Sequence, residues 1–165
     1  MKYDFVFVIL TYKNTVDILD FIESVKKYKN KKIILVNSYF DDKSKFILEE
    51  IARKNNCDFI NVENKGYSYG NNIGIQYAID NYDFEFLIIS NPDIIVNNLD
   101  LNQIRLNQDY ILGPIIRTSK NTNQNPYWIF EHKFIEYLTY KAAKLDLRFI
   151  SFICAVYIKL VREIF

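Results

Sequence analysis

The 165-residue chain is half hydrophobic, with 13 Phe and 13 Tyr, and carries 21 Lys and Arg against 20 Asp and Glu. That length allows one domain with a real core, while the near-zero net charge excludes general attraction to nucleic acid, so an anionic ligand must be met by local groups. Cys57 and Cys154 lack metal or redox spacing, which points to a reducing, cytoplasmic setting, and neither the short apolar stretch after Asp4 nor Phe149–Ile158 is long enough for a signal sequence or a membrane span.

Taken in order, Phe5–Leu10 reads as a buried strand closing on Thr11-Tyr12-Lys13-Asn14. Residues Thr15–Tyr28 are helical in pattern, with Ile18, Ile22 and Val25 on one face and Asn14 or Thr15 as cap. A second strand, Ile33–Val36, ends at Asn37-Ser38. Asp41 and Asp42 then cap a helix to about Asn55, with Ile47, Leu48 and Ile51 inward. A short strand, Asp58–Val62, leads into the turn Asn64-Lys65-Gly66, and a third helix runs from about Ser68 to Asp80. The consecutive apolar residues Phe86–Ile89 predict a fourth strand covered on both faces. Pro92 ends it, leaving Asp93 just past its carboxyl end. The alternation β-α-β-α-β-α-β with short connections predicts a three-layer αβα sandwich, Rossmann-like, with a mostly parallel central sheet. All four strand-end turns then share one rim of the sheet, where α/β proteins bind ligands.

The third turn is the unusual one. Three of the four glycines fall between Asn64 and Gly74. Glycine costs ~1 kcal/mol against alanine inside a helix, so Gly70 and Gly74 imply close backbone approach, either to a ligand or to a neighbouring strand. The spacing matches neither the dinucleotide fingerprint nor a P-loop, and the first strand carries no glycine loop, which removes NAD enzymes and P-loop NTPases.

With these motifs in hand, the chain resembles the amino-terminal half of family-2 glycosyltransferases of the GT-A fold. Leu10-Thr11-Tyr12-Lys13 is similar to the family's Thr-Tyr-Asn turn. Asn64, Gly66, Ser68, Gly70, Asn72 and Gly74 match its long glycine-bearing motif position by position, and Asn91-Pro92-Asp93 matches its metal motif. Leu112-Gly113-Pro114 and residues 151–165 resemble later segments, with Phe152 where the family has glycine. Two departures stand out. Asn37 replaces the aspartate that contacts the nucleotide base, only Asp42 keeping its place in that motif. The sequence ends at Phe165, where the family continues into an acidic segment with the general base. The expectation is therefore one GT-A-like domain, residues 1–96 forming the nucleotide-sugar-binding half and 97–165 a partial, truncated acceptor-side half.

The resemblance implies a donor that is a nucleotide-diphosphate sugar, a saccharide or lipid-linked acceptor, and a role in bacterial surface polysaccharide synthesis. It implies Mg²⁺ or Mn²⁺ at Asp93, donor contacts from Thr11, Tyr12, Asn37, Asn64, Gly66, Asn72 and Asn91, and no nominated general base. Lys65 is either a phosphate partner or a solvated surface residue. His132 reads as structural or exposed, and Tyr127-Trp128 as a packed pair or an acceptor platform. Residues 130–148 read as an amphipathic helix, and the Lys/Arg excess after residue 130 allows weak membrane-surface contact. A non-catalytic nucleotide-sugar- or partner-binding domain is the alternative of another class.

Overall fold

The structure is a computed structural model that describes residues 2–107, 109 and 111–118. The chain divides into two compact units, Met1–Gln103 and Ile104–Phe165. The first holds β1 (Lys2–Thr11), α1 (Asp17–Val25), β2 (Lys31–Ser38), α2 (Asp42–Lys54), β3 (Asp58–Val62), α3 (Tyr67–Asn81) and β4 (Asp83–Ser90). A short α4, Leu101–Arg105, follows. In the second unit, residues 111–118 have no helix and are mostly exposed. The readings of residues 130–148 and 151–165, of His132 and of Tyr127-Trp128 lie outside the described residues.

All four strands are parallel, in the order β3-β2-β1-β4. The α/β class and parallel sheet are thus as the sequence reading has them. The third strand has the predicted bounds, and the other elements differ at their ends by a few residues. Helix α1 is shorter than predicted, and its start is fixed by Asn14: Oδ1 accepts from the amides of Val16 (3.2 Å) and Asp17 (3.1 Å), while Nδ2 donates to the Asp17 carboxylate at 2.7 Å. Asp41 does the same work for α2, its carboxylate accepting from the Ser44 amide at 2.7 Å.

Strand alternation divides the core between two layers of helix. Val6, Val8 and Leu10 of β1 join Ile34 and Val36 of β2 and Ala78 of α3 on one face. On the other, Phe7 meets Phe21 of α1 edge-on, ring centroids 5.7 Å apart. The central strands β1 and β2 are fully buried over most of their length. Strand β4 differs from expectation: it is half-buried and Ile89 is 47% exposed. Among the described residues it pairs with β1 alone, an edge position, whereas β1 and β2 lie between two strands.

The question left open by the glycines is answered by packing. A Cβ on Gly70 would lie 2.4 Å from Cδ1 of Leu10. One on Gly74 would lie 2.4 Å from Cγ1 of Val8 and 2.8 Å from Cγ2 of Val36. Both let α3 settle directly on β1 and β2. Overpacking of this kind costs ~1–3 kcal/mol, against ~1 kcal/mol gained when a helical glycine becomes alanine. Gly74→Ala is therefore expected to lower stability by roughly 1 kcal/mol, seen as a lower urea midpoint with an unchanged slope. A raised midpoint would contradict the packing account.

Candidate active site

Strand order sets the location of the site. The chain moves from β1 outward to β2 and β3, then crosses back through α3 to β4 on the other side of β1. The strand order therefore changes direction at the β1–β4 pair, and the turns after both strands lie at the carboxyl edge of the sheet. Such a switch point is the ordinary ligand site of an open α/β sheet.

A cleft of about 260 Å³ lies there, lined by Leu10, Tyr12, Asn14, Tyr67, Asn91, Pro92 and Asp93. Leu10, Tyr12 and Asn14 come from the end of β1 and its turn, Tyr67 from the first turn of α3, and Asn91–Asp93 from the turn after β4. Pro92 is buried while Asn91 and Asp93 are exposed, so the turn is rooted but its polar groups are open. The segment beyond is tied to α1 and the residues just after it: the Val96 amide donates to Ser24 Oγ at 3.0 Å, the Leu99 amide to the Tyr28 hydroxyl at 2.6 Å, and Lys27 Nζ to the Asn97 carbonyl. Asp93 is thus presented from a turn fixed on both sides.

Of the residues singled out by sequence, Tyr12, Asn91 and Asp93 meet in the cleft. Thr11 does not reach it. That side chain is fully buried, and its hydroxyl donates to the Val36 carbonyl at 3.2 Å, closing the β1–β2 ladder. Asn37 is also fully buried, with Nδ2 donating to Asn61 Oδ1 at 2.7 Å and Oδ1 without a hydrogen-bond partner. Asn64, Gly66 and Asn72 are exposed but are not in the cleft lining. Asn64 Oδ1 accepts from the Gly66 amide at 3.3 Å, and Gly66, at φ +96°, caps α3 in the left-handed region that glycine tolerates. Lys65 is ion-paired with Glu63 at 2.8 Å on the surface. Sequence reasoning missed Tyr67, which occupies a variable position of the glycine motif, and took Asn14 for a cap only.

Tyr12 is 46% exposed and meets Phe40 edge-on at 5.7 Å. The Lys13 ammonium lies 3.8 Å from the Phe40 ring centroid and 5.2 Å from that of Tyr12. Cys57, distant in topology at the start of β3, has its thiol pushed up to about 11 by burial, which makes it a poor nucleophile. No group of three or more His, Cys, Asp or Glu is placed to hold a metal among the described residues.

A sequence model of glycosyl transferase family 2 matches residues 6–165, nearly the whole chain. The chain belongs to glycosyl transferase family 2. Its parallel α/β sheet agrees with the fold class expected from the sequence. The low-salt glycan biosynthesis hexosyltransferase Agl10 of Haloferax volcanii is 42% identical over 41 residues, which take in 25% of this chain and 13% of that protein. Among solved structures, residues 1–349 of S. aureus TarS align with a TM-score of 0.47 at 16% identity, over 64% of this chain and 31% of that one. A longer S. aureus TarS structure aligns at 0.46 and 19% identity, over 64% and 19%. This family-2 chain thus spans about a third or less of the length of each of these relatives.

Proposed function

We propose that this family-2 chain provides the nucleotide-sugar-binding portion of a glycosyltransferase that moves a sugar from a nucleoside-diphosphate sugar to a saccharide or lipid-linked acceptor, in the assembly of bacterial surface polysaccharide. The observation that carries this reading is the exposed Asp93 carboxylate in a cleft at the switch point, facing residues from the β1 turn and the α3 start. Its donor atoms are oxygens: one carboxylate and the Asn91 amide oxygen. That set suits a hard cation that completes its shell with diphosphate and water. Mg²⁺ or Mn²⁺ would be held by Asp93, with Asn91 as a weaker partner. When bound, the ion stabilises the negative charge that grows on the departing diphosphate.

The protein's own groups do the remainder. Tyr12 offers a half-exposed ring for the base or ribose to pack upon. The start of α3 directs free amides toward the rim beside Tyr67, a setting that favours phosphate. Asn64, Gly66 and Asn72 belong to this reading as the groups that shape the loop and helix start, and buried Thr11 holds the rim together. Asn37, fully buried and outside the cleft lining, belongs to this reading as a group that supports the rim from beneath through Asn61, and it brings no charge. A cytoplasmic site at the membrane surface completes the proposal; no helix among the described residues is long and apolar enough to cross a membrane.

A second reading, a domain that binds the donor without turning it over, is favoured by one observation: Asp93 is the single acid in the cleft lining. Calorimetry with UDP and GDP, with and without Mn²⁺, tests both. Binding of either nucleotide that strengthens with Mn²⁺ is expected, and binding by neither would remove both readings. Transfer or donor hydrolysis separates the first from the second.

A further inference from the structure

The backbone of Lys13, in the turn after β1, is in the left-handed region at φ +60°. A residue with a long side chain pays for that conformation, whereas asparagine and glycine adopt it readily. Strain kept beside a binding cleft asks for a function. Its neighbours in sequence, Tyr12 and Asn14, both line the cleft. Its ammonium lies over Phe40 and near Tyr12, the two rings that meet edge-on at the rim. No ion pair is formed by Lys13 among the described residues, although Asp41 is near enough to interact through space. Lys65, by contrast, is neutralised by Glu63. The cleft lining itself carries one charge, the negative Asp93.

Resting on the donor-binding reading above, we infer that Lys13 is a donor-binding residue, a mobile cation parked on the Tyr12–Phe40 aromatic pair that turns to the diphosphate when a nucleoside diphosphate enters the cleft. Cation–π contact at an exposed site is weak, so the ammonium leaves it at little cost. A diphosphate close to the ammonium gains a charge-assisted contact that the more distant Asp41 does not supply. The side chain lies beside the cleft, lining a neighbouring hollow with Phe40 and Asp41, so reaching the diphosphate requires it to swing off the Phe40 ring.

The test compares wild type with Lys13→Asn, Lys13→Gly and Lys13→Arg. Calorimetry with UDP, GDP, uridine and guanosine, with Mn²⁺ present, is run at about 50 and 300 mM NaCl, ionic strengths that bracket effective screening. The Asn and Gly variants are expected to melt no lower than wild type, because the strain is relieved. They are expected to bind the diphosphate roughly five- to tenfold more weakly at low salt, with the gap narrowing at high salt. Lys13→Arg retains most of the affinity, and nucleoside binding is unchanged. Equal diphosphate affinity in all variants overturns the inference and leaves the donor-binding reading intact. A parallel loss for nucleoside and diphosphate, insensitive to salt, also overturns it, since the lysine would then only support the aromatic wall. Wild type that binds no nucleoside diphosphate fails the donor-binding reading itself, and the inference with it.

Discussion

Asp93→Ala is expected to reduce sugar transfer or donor hydrolysis by about 10²–10³-fold, the scale seen when a fixed group stabilising transition-state charge is removed. Asp93 is exposed and the single acidic side chain in the cleft lining, so no neighbour replaces its charge. The turn that carries it is anchored by buried Pro92 and by the hydrogen bonds of residues 96–99 to Ser24 of α1 and to Tyr28 just after it. Loss of the exposed carboxylate therefore leaves the fold intact, and the melting temperature should shift little. The nucleotide affinity of the variant should lose its dependence on Mn²⁺, while metal-free affinity stays close to wild type. Asp93→Asn should resemble the alanine variant in activity, since it keeps the shape and discards the charge. Full activity in Asp93→Ala would remove the carboxylate from the chemistry and with it the proposed metal site.

The second large effect concerns stability, at the opposite end of the sheet. Lys32 at the start of β2 and Asp58 at the start of β3 form an ion pair at 2.7 Å, with side chains 14% and 19% exposed. The Tyr82 hydroxyl donates to the other carboxylate oxygen of Asp58. Tyr82 also packs edge-on against Tyr3 at 5.6 Å and Tyr77 at 6.3 Å, and its hydroxyl is held well above the ordinary range by burial and by Asp58. Asp58→Ala leaves an ammonium and a hydroxyl without their partner. Breaking a fully buried pair in this way costs 3–5 kcal/mol, and the residual exposure here reduces the expected loss to about 2–4 kcal/mol. Urea denaturation followed by circular dichroism reads it directly. The double variant Lys32→Met/Asp58→Leu should recover most of the loss, because an apolar pair carries no desolvation penalty. A loss below about 0.5 kcal/mol would place the pair among surface ion pairs, which contribute little. Nucleotide binding by the folded fraction should be unaffected, since the cluster lies at the amino ends of the strands and the cleft at the carboxyl ends.

Much of the architecture was legible in local pattern. Consecutive apolar residues in β1 and β2 announced strands covered on both faces, and Ile18, Ile22 and Val25 marked the inner face of α1. The cap of α2 was legible because it acts within three residues: Asp41 reaches its amide without help from the rest of the chain, whereas the N-cap of α1 is Val16, with Asn14 holding the turn just ahead of it. The proline after β4 fixed Asp93 beyond a strand end, and parallel pairing then brought it to the same rim as Tyr12.

What the order of residues could not decide was which polar groups face a ligand. Thr11, Asn37 and Tyr12 lie within similar strand-end turns, yet the first two are buried and the third is half-exposed. The difference comes from side-chain alternation and from what covers each strand end, and both depend on the full packing of sheet and helices. The two roles considered for Gly70 and Gly74 also looked alike in sequence, since glycine's lack of a side chain serves close approach to any surface. Only the 2.4 Å that a Cβ would leave to Leu10 and Val8 assigns them to helix–sheet packing. The sequence by itself determined the elements up to β4, the parallel character of the sheet and the family, because these rest on periodicity and on motifs read along the chain. Tertiary structure alone decided that Tyr67 and Asn14 join Asp93 at the cleft, because proximity between residues far apart in sequence exists only once the strands are ordered.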